Sequence, residues 1–174
     1  MKISIKNFQI FSAIFVMILG TLLHFTYEWS GENLFIAAFS AVNESTWEHL
    51  KLLFYPMLLT TIIGYFYFGK NKHNFLCANA IGILTAISFT TVFFYTYTGI
   101  IGTNFAFLDI GSFFVAVILG EFITYRLLLT NFVCNKRFAF IVLVVLLLCF
   151  VLFTYAPPEI GLFRDPISNG FGIQ

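Results

Sequence analysis

The sequence predicts an all-α fold, an integral membrane bundle of five transmembrane helices, and composition is the first observation that predicts it. Of 174 residues, 60% are hydrophobic and 10% are charged, whereas soluble domains are about 45–50% apolar and about 25% charged. A soluble fold of this length could not bury so much apolar surface, so lipid must solvate much of it. Residues 1–174 are therefore expected to form a single transmembrane domain.

The second observation is the length of the apolar segments. Crossing a bilayer takes about 20 residues of helix, and five segments approach or exceed that length: 8–27, 46–68, 75–97, 105–129 and 138–155. These runs are long and unbroken rather than alternating, which argues against a β-barrel. The first segment follows two lysines, as a signal peptide would. It lacks a small-residue cleavage site, so we expect it to be retained as a helix.

The third observation is the distribution of charge between the loops. In the five-helix topology, one side holds a set of basic residues: Lys2, Lys6, Lys70, Lys72, Lys136 and Arg137. The positive-inside rule makes that side cytoplasmic, which predicts a cell-membrane protein with a cytoplasmic N-terminus and an extracellular C-terminus. The other side holds most of the carboxylates, and its only cations are Lys51 and Arg164.

The three cysteines are predicted to be free thiols. None forms a CxxC pair, and Cys77 and Cys134 fall at helix ends on the predicted cytoplasmic side, where thiols stay reduced. We expect them, with Cys149, to act as small apolar residues.

Three local patterns mark where elements begin and bend. The apolar segment at about 34–42 is too short to span a bilayer, so it is predicted to be a short re-entrant or interfacial helix. Ser45 and Glu48 have the spacing of a capping box at the start of the next helix. Pro56, in the middle of that helix, should kink it and free a backbone carbonyl.

Small residues recur at every fourth position in the third and fourth long segments. They are Ala78, Gly82 and Ala86 in one, and Ser112, Ala116 and Gly120 in the other. Small side chains at this spacing let helix backbones approach closely. These two helices are therefore predicted to pack against each other.

Polar residues concentrate at the predicted outer ends of the first two long helices. His24 and Glu28 are four residues apart, on one helical face, and Glu44, Glu48 and His49 surround the start of the next helix. Imidazole with carboxylate suits Zn²⁺ or another transition metal, and carboxylates alone would suit Ca²⁺ or Mg²⁺. The candidate ligands of a divalent metal cofactor are His24, His49, Glu28 and Glu44.

A structural interpretation of the same residues stays open. Glu48 would cap its helix, Glu44 would favour the positive end of the helix dipole, and the two imidazoles would hydrogen-bond at the headgroup level. Lys51 argues against it, because it lies about 9 Å below the helix start at 1.5 Å per residue. Its ammonium either extends outward or pairs with Glu48 or Glu28 inside the bundle.

The C-terminal segment 156–174 is predicted to dock over the outer mouth. It keeps several large apolar residues among its turn residues, which is unlike a disordered terminus. Arg164, with Asp165 beside it, would then face the acidic cluster as a salt-bridge lid or an anion clamp. The alternative is a segment lying on the lipid headgroups.

Two carboxylates fall within the fourth long helix. Glu121 lies deep in it, and intramembrane carboxylates are costly and face a cavity or a partner. It is predicted either to be functional or to form an interhelical hydrogen bond, with Tyr125 or Asn79 as neighbours. Asp109, about one turn into the helix, either joins the outer cluster or favours the helix N-terminus.

Three segments together resemble a known family. They are the His-Phe-x-Tyr sequence at 24–27, the segment from Val42 to Lys51, and the Pro-Pro-Glu-Ile-Gly-Leu-Phe-Arg-Asp-Pro sequence at 157–166. The combination resembles an uncharacterised family of small bacterial integral-membrane proteins, a domain of unknown function, over nearly the whole chain. The resemblance implies no activity, only that these segments go together.

The leading functional hypothesis is a multi-pass protein that binds or moves a small polar solute or cation, with lipid as its other partner. Acidic residues would concentrate cations in an outer vestibule, and a protonatable Glu121 would couple movement to protons. Alternatives are a metal-dependent enzyme acting on lipid or headgroup at the outer leaflet and a structural accessory protein. Five helices are few for a transporter, which favours a homo-oligomer or a partner subunit. A net charge of +1 gives no attraction for nucleic acid.

Overall fold

The computed structural model describes residues 4–173, and it confirms the all-α class: five of its helices are long and apolar enough to cross a membrane. The helices are α1 (Ile5–Trp29), α2 (Leu34–Ala37), α3 (Thr46–Gly64), α4 (Phe75–Ile101), α5 (Ala106–Leu128) and α6 (Lys136–Tyr155). A π-helical turn, Tyr65–Gly69, extends α3, and a 3₁₀ turn, Gly161–Phe163, lies in the C-terminal segment. Lys2, counted among the basic residues, lies outside the described residues.

The long helices alternate in direction, so their ends gather into two groups. We call the end that carries the last turn of α1 and the first turn of α3 the histidine end. The opposite end, where α4 and α6 begin, is the basic end. At the basic end, the observed starts of α1 and α6 differ from the predicted ones because of capping. Ser4 accepts the Asn7 N–H and starts α1 early, and Asn135 accepts the Arg137 N–H and starts α6 at Lys136.

The short element α2 is smaller than predicted. It ends at Ala37, and residues 38–45 are an irregular loop rather than helix. Ser40 explains the difference, because its hydroxyl donates to the Leu23 carbonyl and accepts the Tyr27 N–H. These bonds fasten the loop to the last turns of α1 and turn the chain away from a helical path.

The start of α3 follows the predicted cap in part. Ser45 accepts the Glu48 N–H, but the Glu48 carboxylate accepts the Val42 N–H instead of the Ser45 N–H, which Asn43 satisfies. Farther along, α3 continues through Pro56. Proline leaves the carbonyl four residues earlier without its helical donor, which here is Leu52. A Cβ on Gly20 of α1 would lie 2.5 Å from that oxygen, so α1 approaches α3 closely where the carbonyl is free.

The small residues of α4 and α5 pack against each other, as predicted. A Cβ built on Gly82 would lie 2.0 Å from Thr124 Oγ1 and 2.6 Å from the Gly120 carbonyl oxygen. The Thr124 hydroxyl donates to the Ala78 carbonyl across this contact. The two backbones can touch only because both helices carry glycine there.

The prediction for two of the cysteines is wrong. Cys77, in the first turn of α4, forms a disulfide with Cys134, which precedes α6, and only Cys149 is a free thiol. Spacing could not reveal the bond, because the two residues are 57 positions apart. They meet because α4 and α6 both begin at the basic end.

The C-terminal segment docks on the histidine end, as predicted. The Phe163 ring lies 4.8 Å from the Trp47 ring of α3, between centroids, and 5.4 Å from the Phe153 ring of α6. Asn43 donates a hydrogen bond to the Gly172 carbonyl. The segment therefore covers the loop that leads into α3.

Candidate functional site

Two imidazoles and one carboxylate converge at the histidine end. His24 comes from α1, Glu44 from the loop before α3, and His49 from the first turns of α3. One ligand atom from each of the three lies within 4.8 Å of the others. Ser40 and the Ser45 cap hold the intervening loop in place, and so they set where Glu44 points.

The separations in this cluster fit a tetrahedral metal site. His24 Nε2 lies 3.6 Å from one Glu44 oxygen, and His49 Nε2 lies 3.4 Å from the other. With metal–ligand bonds of about 2.1 Å, the edge of a tetrahedral site is about 3.4 Å. The two imidazoles approach different oxygens of Glu44, so the carboxylate would have to bind through both oxygens or rotate for all three side chains to share one ion.

The ring of His49 has a fixed tautomer. Its Nδ1 lies 2.9 Å from the Ser45 carbonyl oxygen, which can only accept, so Nδ1 carries the proton. In the neutral ring, Nε2 therefore presents a lone pair toward the Glu44 carboxylate. Two electron-pair donors at this distance need a positive charge between them, which is either a second proton or a metal ion. Such a backbone bond to the far nitrogen is typical of metal-ligating histidines.

Glu44 is held in its ionised form. Hydrogen bonds from His24 and then His49 keep the pKa of the Glu44 carboxyl well below its usual range, against the opposing effect of burial. The three side chains are partly open, with exposed fractions of 30% for His24, 42% for Glu44 and 32% for His49. An ion from the surrounding water can reach them.

Beside this cluster lies a buried ion pair that closes the bundle. The Lys51 ammonium is 2.5 Å from a Glu48 oxygen, and the two side chains are 0% and 2% exposed. Lys51 also donates to the Ala37 carbonyl and to Thr154 of α6, and the Thr154 hydroxyl contacts Glu48. Of the alternatives for Lys51, the pairing with Glu48 is the one found. The pair ties α3 to α6 and to the end of α2.

Three predicted members lie outside the cluster. Glu28 is exposed, and His24 faces Glu44 instead of it. Asp165 accepts the Ile167 N–H and the Ser168 hydroxyl, so it shapes a turn of the docked segment. Arg164 is exposed and forms no ion pair within residues 4–173.

Asp109 lies at the start of α5, near the cluster but not in it. It accepts hydrogen bonds from the Tyr97 hydroxyl and from the Asn104 amide. Its charge acts on His49 through space. It therefore adds negative potential beside the cluster while it joins α5 to α4.

Glu121 faces α1 rather than its expected neighbours. Its carboxyl accepts a 2.6 Å hydrogen bond from the Ser12 hydroxyl, and both residues are buried. Asn79 bonds to Thr61 instead. One turn from Ser12, the buried amide of Gln9 has no partner within residues 4–173. The interhelical hydrogen bond is thus the part of the prediction that the geometry supports.

Two substitutions of Glu121 separate the contribution of its hydrogen bond and packing to stability from the contribution of its charge. Glu121→Gln keeps an acceptor for Ser12, so we expect the free energy of unfolding to change by less than about 1 kcal/mol. Glu121→Ala removes the acceptor and leaves a cavity, and should cost about 2–4 kcal/mol. Unfolding in mixed micelles measures both, with Glu159→Gln, an exposed carboxylate, as control. Equal losses in the two Glu121 variants would show that the charge itself matters.

Several contacts of the site left no signal in the sequence. Ser12, Ser40 and Thr154 are single hydroxyl residues in apolar surroundings, and such residues are common in transmembrane helices as local hydrogen-bonding groups. Their partners are 109, 17 and 103 positions away. For Ser12 and Thr154, the hint was that each faces the same way as other buried positions of its helix.

Five membrane-length apolar helices, closed at one end by a docked segment, define an all-helical multi-pass membrane protein. The chain belongs to a family of unknown function (DUF6512), whose profile matches residues 1–173. This confirms the resemblance found in the sequence. No curated protein and no solved structure matches the chain. The family description assigns no activity, so function has to be argued from the site.

Proposed function

We propose that this membrane protein binds a divalent transition-metal cation at His24, Glu44 and His49. The observation that carries the proposal is the approach of both imidazole Nε2 atoms to the two oxygens of one carboxylate, at 3.6 and 3.4 Å. Nitrogen ligands favour Zn²⁺ and its neighbours over Ca²⁺ or Mg²⁺, which prefer oxygen. Of the predicted ligands, Glu28 is left out.

The site is proposed to face the cell exterior. A disulfide at the opposite end is more typical of an oxidising compartment, but the basic loops of that end support a cytoplasmic position by the positive-inside rule. The histidine end would then meet the extracellular solution, with the C-terminus on the same side. Partial exposure of the three ligands supports exchange of the ion with that solution.

Binding, rather than passage, is the function that the geometry supports. An ion moving inward from the cluster along α3 would meet the Glu48–Lys51 pair, which is buried and already neutralised. The carboxylate of Glu121 is engaged by Ser12. Movement of a cation would therefore require the pair to separate, which is costly in a low-dielectric interior.

A metal-dependent enzyme is the second candidate, and one observation favours it. Three protein ligands leave the fourth position of a tetrahedral ion open, which is the arrangement of catalytic rather than structural zinc. Water in that position becomes a nucleophile near neutral pH. At the end of spanning helices the site would lie at the level of the lipid headgroups, so hydrolysis of a headgroup ester is the reaction to test with metal-loaded protein and phospholipid vesicles.

Metal content tests the proposal directly. We expect about one zinc per chain, by elemental analysis of protein purified without chelator and without a histidine tag. The variant His24→Ala/His49→Ala should lose it, because two of three ligands are gone. His73→Ala is the matched control, since His73 is an exposed histidine at the basic end, and it should keep the metal. A wild type that stays free of metal after zinc addition would contradict the proposal and favour the accessory role. Metal retained in the double variant would contradict it too, because the ion would then bind at other residues.

The affinity for zinc should fall as the pH falls. Coordination requires neutral imidazole, whereas Glu44 stays ionised because its pKa is low. An imidazole with the reference pKa of about 6.5 loses about tenfold of its neutral fraction between pH 7.5 and pH 5.5, so a site with two histidine ligands should weaken more steeply than a site with one. Competition with a zinc dye at a series of pH values measures this, and a pH-independent affinity would exclude histidine ligands.

A further inference from the structure

A groove on the lipid-facing surface runs between α3 and α6 at the basic end. It encloses about 730 Å³, and its walls are mainly apolar side chains of the two helices and of the π-helical turn, with Leu76 of α4. The side chains of Ile62, Phe66 and Ile141 border it and are exposed. Leu58 and Leu147 lie at its deep end.

The mouth of the groove is positively charged. Lys136 and Arg137 border it, and both are exposed. No carboxylate of residues 4–173 lies within 4 Å of either one. Both cations stand in the first turn of α6, where the helix dipole already favours negative charge. An anion at the mouth would therefore interact favourably with both side-chain cations and with the positive end of the α6 dipole.

The length of the groove matches one leaflet of a bilayer. Arg137 and Leu147 are ten positions apart on α6, which is about 15 Å at 1.5 Å per residue. The hydrocarbon core of a bilayer is about 30 Å thick, so one acyl chain reaches about half of that distance. An apolar furrow of this length with a cationic mouth fits an acyl chain below a charged headgroup.

We propose that the groove between α3 and α6 binds an anionic diacyl phospholipid. One acyl chain lies along the groove, and the lipid phosphate pairs with Lys136 and Arg137. Basic pockets between transmembrane helices recognise anionic headgroups in this way. The disulfide supports the geometry, because Cys134 lies two positions before Lys136, and Cys77 follows Leu76, which borders the groove. The disulfide thus fixes the start of α6, with its two cations, beside Leu76 in the wall of the groove.

The test compares phosphatidylglycerol with phosphatidylcholine of the same chain length, by native mass spectrometry of protein in mild detergent. We expect the wild type to retain phosphatidylglycerol about 30-fold more strongly, the effect of two basic residues near a headgroup. Lys136→Gln/Arg137→Gln should lose that preference. Lys70→Gln/Lys72→Gln is the matched control, because those lysines belong to the same end but do not border the groove. This control variant should keep the preference for phosphatidylglycerol.

A second pair of variants tests the groove itself. Ile141→Trp fills it, and we expect a loss of about tenfold or more in retention of both lipids, as a bulky ring excludes the chain. Leu148→Trp, an exposed α6 position outside the groove, should bind as the wild type does. Equal loss of preference in the two charge variants would reduce the effect to general surface charge and overturn the proposal. Competition by soluble glycerophosphate as strong as that by the lipid would also overturn it.

Discussion

Lys51→Met should lower the free energy of unfolding by about 3–5 kcal/mol, the largest loss expected from any single substitution considered for this protein. Methionine fills nearly the same volume, so packing is kept. What is lost is the positive charge 2.5 Å from Glu48, whose side chain is only 2% exposed. An unpaired carboxylate in an apolar interior is strongly unfavourable.

The matching double variant separates charge from packing. Lys51→Met/Glu48→Gln removes both charges, and it should regain most of the lost stability, since a buried pair and its neutral replacement are often nearly equal. Lys70→Met, at an exposed lysine, should change stability by no more than about 0.5 kcal/mol. The measurement is reversible unfolding in mixed micelles. A single variant as stable as the wild type would mean that Glu48 does not depend on Lys51.

Gly82→Ala should cost about 3 kcal/mol, near the upper end of what overpacking usually costs. The added Cβ would lie 2.0 Å from Thr124 Oγ1 and 2.6 Å from the Gly120 carbonyl oxygen. The second of these is backbone and cannot rotate away, so α4 and α5 must separate. Their separation would also remove the hydrogen bond from Thr124 to the Ala78 carbonyl.

Gly99→Ala is the control for this substitution, because it lies in the same helix. A Cβ at Gly99 would have no neighbour within 4 Å. Alanine there should be neutral or stabilising by up to about 1 kcal/mol, since glycine is the poorer helix former. Unfolding of the two variants side by side gives the comparison. A loss at Gly99 equal to that at Gly82 would contradict the close approach as the cause, because alanine is the better helix former and its Cβ would meet no neighbour at Gly99.

The helices were predictable because their signals are local. Apolar length, caps and small-residue spacing act within a few turns, and the five spanning helices and the α4–α5 contact followed from them. The rotation of α1 was not predictable in this way. The spacing of His24 and Glu28 predicts that they share one helical face, but it does not predict the contact between His24 and Glu44. That contact depends on the loop before α3, which Ser40 fastens to α1.

The polar partners show the same limit. Glu48 was predicted to cap its helix or to pair with Lys51, and it does pair with Lys51, but its contact with Thr154, 106 positions away, had no local signal. Glu121 was assigned to neighbours on α4 and α5, and its partner is on α1. A single hydroxyl in an apolar helix carries no mark of its distant partner, so such pairs emerge only from the packing.

The disulfide makes part of this chain a closed ring. The bond between Cys77 and Cys134 encloses nearly all of α4 and the whole of α5, the two helices that approach each other closely at Gly82 and Gly120. The remaining spanning helices lie outside the ring. The segment with α1 and α3 joins it at Cys77, and the segment with α6 joins it at Cys134. A backbone break in the loop at 102–105 would therefore leave the chain in one covalent piece, whereas a break at 70–74 would divide it in two. In its connectivity the molecule is a loop with two arms, and both arms return to the histidine end, where Lys51 and Thr154 join them again.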